Sequence, residues 1–78
     1  MRIKPLASNM TELLKIDGTV VLFSYETPVA ALLPSGRYVR TSKKWSQTTT
    51  RHINKWLVGV TSPVEEVQQD FFDTMIEV

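Results

Sequence analysis

Glu12-Leu13-Leu14-Lys15-Ile16-Asp17-Gly18-Thr19-Val20-Val21-Leu22-Phe23-Ser24-Tyr25 is the stretch that decides the fold. Asp17-Gly18 is the pair favoured in tight type I′ hairpins, because both central residues of that turn need positive φ. Residues 12–16 and 19–25 then form its two arms. In the second arm Val20 and Leu22 point one way, while Val21, Phe23 and Tyr25 point the other. Both faces are largely apolar, so this strand belongs near the middle of a sheet and is covered on both sides.

Toward the N-terminus, residues 2–6 read as a further strand. Pro5 cannot donate to a ladder and suggests an edge position. Toward the C-terminus, Glu26-Thr27-Pro28 breaks the apolar run and residues 29–33 resume it. Pro34-Ser35-Gly36 signals another turn, and residues 37–41 make a fourth strand with Tyr38 and Val39 as its packing residues. A helix then opens near Ser46 or Thr48, either of which can cap free amides. Ile53, Trp56, Leu57 and Val60 give it an apolar stripe, and Gly59 ends it. Ser62-Pro63-Val64-Glu65 has the form of a capping box and predicts a second helix. Val64, Val67, Phe71 and Met75 line one face of that helix, and Glu66, Asp70, Asp73 and Glu77 line another.

The expected architecture is one α+β domain over residues 1–78. A small, mainly antiparallel sheet of three to four strands, at about residues 2–41, is followed by two C-terminal helices at about 47–58 and 63–76. Both helices pack on one face of the sheet. Trp56 and Phe71 are the side chains whose loss should unfold it. A chain of 78 residues builds only one modest core.

The apolar fraction of 42 % excludes wholesale disorder. The chain has no Cys and one His, which leaves neither a disulfide framework nor a zinc site within one chain. No apolar run approaches the roughly 20 residues that span a bilayer. Together these features suggest a cytoplasmic protein with no membrane partner. The net charge of +1 hides a strong polarity. Every charged side chain in residues 27–60 is positive (Arg37, Arg40, Lys43, Lys44, Arg51, Lys55). Every charged side chain in residues 61–78 is negative (Glu65, Glu66, Asp70, Asp73, Glu77).

Two motifs lie in the central half of the chain. Ser24-Tyr25-Glu26-Thr27-Pro28-Val29-Ala30 is followed by Tyr38, and then by Lys44-Trp45-Ser46-Gln47-Thr48-Thr49-Thr50-Arg51-His52-Ile53-Asn54-Lys55-Trp56-Leu57. The combination resembles a family of small uncharacterised proteins encoded by bacteriophages, with Ser-Tyr-x-Thr-Pro-Val-Ala and Ser-x-Thr-Thr-x-x-His-Ile motifs. The resemblance implies a phage origin, hence the cytoplasm of a host cell, and an α+β unit. It carries no activity and no catalytic residues.

The cationic segment suggests its own chemistry. The first free amides of a helix starting at Ser46 to Thr48 point outward at the positive end of the dipole and favour an anion. Arg37, Arg40, Lys43, Lys44, Arg51 and Lys55 add charge, and Ser46, Thr48 and Thr49 add hydroxyl donors for phosphate oxygens. Tyr38 and Trp45 can stack on unpaired bases. The plainer alternative is that the hydroxyls are caps and the cations are solvated. His52 has no acidic residue within nine positions and is expected to be structural, donating a hydrogen bond to backbone or near Thr27.

The expected function is therefore non-enzymatic binding of nucleic-acid phosphates by a small accessory protein, with no cofactor and no metal. The alternative is a protein-binding inhibitor of a host defence or transcription component, acting through Glu66, Asp70, Asp73 and Glu77. The same acidic face offers a surface for the basic segment of a second copy in a homodimer.

Overall fold

In the computed structural model, which describes residues 2–76, four successive reversals of the chain each contain one residue at positive φ: Asn9, Gly18, Tyr25 and Gly36. They join five strands: β1 (Arg2–Ala7), β2 (Met10–Leu14), β3 (Val20–Ser24), β4 (Thr27–Leu32) and β5 (Tyr38–Thr41). Ser8-Asn9 and Tyr25-Glu26 are two-residue connections, as the pairings Ala7↔Met10 and Ser24↔Thr27 require. The other two reversals are longer. The Lys15 amide donates to the Thr19 carbonyl at 2.8 Å, and the Leu33 amide donates to the Arg37 carbonyl at 2.8 Å. Each therefore encloses three residues and ends on a left-handed glycine, the usual turn-plus-bulge solution for that length. Asp17-Gly18 is thus part of a three-residue loop, and not the two-residue type I′ turn expected from the pair alone.

The sheet continues past β5. Helix α1 (Gln47–Trp56) crosses over, β6 (Val64–Val67) pairs parallel with β5, and helix α2 (Gln69–Ile76) follows. The result is a mixed six-stranded sheet in the order β1-β2-β3-β4-β5-β6. This overturns the expectation of three to four strands followed by two C-terminal helices on one face. Ser62-Pro63 does not cap a helix at residues 63–76, because Val64–Val67 adds to the outer edge of β5 instead. A β-branched residue at each end of a short segment beside an unpaired edge favours the strand, and tertiary pairing overrides the local cap signal. A parallel neighbour needs a crossover, which α1 supplies.

The helices lie on opposite faces. Cross-strand partners share a face, so Ile3, Leu13, Val21, Ala31 and Val39 form one row, and Lys4, Glu12, Leu22, Ala30 and Arg40 form a row on the other side. Ile53 of α1 closes over Met10, Leu22, Val29 and Ala30. Phe72 of α2 closes over Val21, Ala31 and Val39, with Val67 of β6 and Met75 packed beside them. Val29 joins the α1 side through a bulge: Leu22 pairs with Ala30 but Phe23 pairs with Pro28. Pro28 in a central strand is tolerated at such an interruption of the ladder.

Because α2 begins at Gln69, its inward phase differs from that of a helix starting near residue 63. Phe72 is fully buried, while Phe71, expected in the core, is 38 % exposed and meets Phe72 edge-on at 5.5 Å. Lys15 donates to the Met75 carbonyl at 2.8 Å, placing a cation at the helix end where acidic residues are unfavourable.

Two outcomes follow from this packing. Phe72→Ala should lower the unfolding free energy by about 3–5 kcal/mol, and Phe71→Ala by about 1 kcal/mol, measured by urea denaturation. The second concerns the loop closed by Asp17, whose side chain accepts the Thr19 amide at 2.9 Å. That bond holds its carboxyl below the ordinary 3.8. A carboxyl with a depressed folded value stabilises above its unfolded value, and the contribution disappears as pH falls through the folded one. Asp17→Asn should therefore flatten the part of the stability profile below about pH 3.8, read from urea melts between pH 2 and 5.

Candidate nucleic-acid interface

Ser46 caps α1: its hydroxyl accepts the Thr49 amide at 3.3 Å. The first turn is fastened to the sheet by a chain of hydroxyls. Ser24 Oγ donates to Thr49 Oγ1 at 3.0 Å, and Ser46 Oγ reaches the same oxygen at 3.4 Å. His52 Nδ1 lies 2.7 Å from Ser24 Oγ. Ser24 and His52 are hydrogen-bonded, with the direction set by the tautomer of His52. Ser24 is 2 % exposed and ties β3 to α1 through these bonds, while the His52 ring is half-buried. His52 thus bonds to a buried side chain of β3, Ser24, the cross-strand partner of Thr27, and so lies in the Thr27 region as expected, through a side chain and not through backbone.

Beside this anchored turn, the β5–α1 connection folds over a cleft of about 300 Å³ between α1 and the end of β6. Arg40, Lys43, Lys44, Trp45 and Thr50 line it, with Thr49 and Ile53 at its floor. Arg40, Lys43 and Lys44 have no carboxylate within salt-bridge reach among the described residues. The Arg40 Nε is buried without a hydrogen-bond partner among the described residues, an arrangement costly for a guanidinium. Lys43 sits over the Trp45 ring, its ammonium 4.3 Å from the centroid. The Trp45 indole N–H donates to Gln69 Oε1 at 3.3 Å. Gln69 also accepts from the Thr41 hydroxyl at 2.8 Å and donates to the Pro28 carbonyl at 2.8 Å. One side chain at the head of α2 therefore holds the cleft wall to β4 and β5.

The remaining sequence candidates lie elsewhere. Arg37 pairs with Glu65 across β5 and β6. Tyr38 meets Trp56 edge-on at 5.9 Å, and with Lys55 it lines a separate cleft near the last turn of α1. The Trp56 indole donates to Glu12 Oε2 at 2.8 Å in that cleft. Thr48 and Arg51 are exposed on α1 and do not line the basic cleft. Nor do the acidic residues form one helical stripe. Glu66 stands on β6 opposite Arg40 and lines the basic cleft. Asp70 is in the first turn of α2, where the dipole favours it, and Asp73 accepts from Gln69 at 3.3 Å. Glu77 lies outside the described residues.

Ser42 and Thr50 are cleft residues that the sequence did not single out. Hydroxyls flanking Lys43-Lys44 and one helical turn beyond Ser46 are the signal that points to them. Among the described residues there is no group of three or more His, Cys, Asp or Glu that could hold a metal ion, and no helix is long and apolar enough to cross a membrane.

Residues 1–74 match a family of unknown function, DUF8033, and the chain belongs to that family. No curated protein and no solved structure matches it.

The hydroxyl chain makes a separable prediction. Thr49→Val keeps the shape but removes the hydroxyl that bonds the buried Ser24, which should cost about 1–3 kcal/mol in chemical denaturation. Ser46→Ala, which removes the cap and the long contact to Thr49 Oγ1, should cost about 1 kcal/mol.

Proposed function

We propose that this member of a family of unknown function is a non-enzymatic accessory protein that binds nucleic-acid phosphates in the basic cleft. The carrying observation is that Arg40, Lys43 and Lys44 converge on one cleft without an ion-pair partner among the described residues. Thr50 and Ser42 add hydroxyl donors beside them, and the capped first turn of α1 adds its dipole. The interface is smaller than the whole cationic segment, because Arg37 is paired and Lys55 belongs to another cleft.

Base stacking contributes little. Trp45 already has Lys43 over its ring, and Tyr38 is turned against Trp56. Recognition led by phosphates is independent of base sequence, and Glu66 at the rim limits its strength by repelling the same charge. The likeness of the two central motifs to phage-encoded proteins supports an accessory role inside a host cell. Dispersal of the acidic residues over β6 and α2 weakens the alternative of an inhibitory acidic helix.

Fluorescence anisotropy with a labelled 12-nucleotide single strand tests the proposal. Three phosphate contacts give a log–log salt slope of about −2, at about 0.7 per contact. Lys43→Gln with Lys44→Gln should lower the slope to about −0.7 while leaving the urea midpoint unchanged. Binding that is undetectable at low salt, or unaffected by the double substitution, overturns it.

A further inference from the structure

Helix α2 covers only part of its face of the sheet. Its buried partners are Val21, Ala31 and Val39 on β3, β4 and β5. On the β1–β2 side of that face, Ile3, Leu13, Phe23 and Tyr25, with Thr11 and Glu26 beside them, line a groove of about 270 Å³. Strand β1 is exposed along its whole length, and Ile3 is 71 % exposed. β1 is also the sheet edge, hydrogen-bonded to β2 alone. Pro5 offers no amide and the register shifts between Pro5 and Ala7, so the part of β1 open to strand addition is Arg2–Lys4, beside an apolar row that includes the exposed Ile3.

The opposite face of β1 indicates which strand fits. Arg2 and Lys4 alternate with Ile3 and Pro5, so both cations project from the face that α1 occupies, where Lys4 stands opposite Glu12 and Arg2 opposite Leu14, leaving a net positive edge. A second copy pairing antiparallel through β1 would bring Arg2 and Lys4 against the same residues of its partner, which like-charge repulsion opposes. We infer that β1 accepts an extended segment of another protein in which apolar and acidic residues alternate. Its apolar side chains continue the Ile3–Leu13–Phe23 surface, and its carboxylates meet Arg2 and Lys4. The site lies at the far edge of the sheet from the basic cleft and does not depend on nucleic-acid binding.

The test uses the full chain and two capped nine-residue peptides, one alternating Val with Glu and one alternating Val with Lys. Amide hydrogen exchange of Ile3 and its neighbours in β1 should slow at least tenfold with the acidic peptide and remain unchanged with the basic one. Ile3→Glu should abolish the protection without moving the urea midpoint, since the side chain is exposed. Arg2→Glu with Lys4→Glu should reverse the preference toward the Lys peptide. Protection by both peptides alike, or by neither, overturns the inference. So does a dimer in sedimentation that Ile3→Glu dissociates, which would make a second copy the occupant.

Discussion

The parallel pairing of Val64–Val67 with Tyr38–Thr41 is the constraint from which the rest of the arrangement follows. Two parallel neighbours cannot be joined by a tight turn, so the intervening chain must cross one face of the sheet. That crossing fixes α1 over Leu22 and Ala30, and it leaves the other face for α2. It also sets the electrostatics. Glu66 comes opposite Arg40, and the connection carrying Lys43 and Lys44 is pulled over the end of the strand pair.

Much of the antiparallel part was legible in the chain. Val20–Ser24 reads as apolar on both faces, and Val21 and Leu22 are indeed fully buried on opposite sides. Gly36 marks its turn, and Ser46 its cap. Asn9 and Tyr25 gave weaker signals, because non-glycine residues at positive φ are uncommon and nothing nearby advertises them. β6 was not legible. Four residues with a capping-box signature satisfy a local rule, and only the free edge of β5, distant in sequence, makes the strand the better partner. The error then spread: a wrong helix start put Phe71 where Phe72 belongs.

The cationic segment divided in a similar way. Composition identified the run without acids, and Arg40, Lys43, Lys44 and Trp45 do meet. Sequence distance could not show that Arg37 is taken by Glu65, or that Lys55 lines a different cleft beside Trp56. Nor could it show Gln69 gathering Thr41, Trp45 and Pro28. A glutamine with a donor and an acceptor on one planar group can join three elements at once, and no local pattern marks it.

That the strands stand side by side in the order in which they are synthesised has a kinetic consequence. Each of the first four pairings closes a loop of only a few residues, so little chain entropy opposes it, and registry can propagate from one hairpin to the next. The one slow closure is the return of β6 to β5 across the helix. Until it occurs, Tyr38–Thr41 stands as an uncovered edge, and self-association during biosynthesis is restrained chiefly by the speed of that final step.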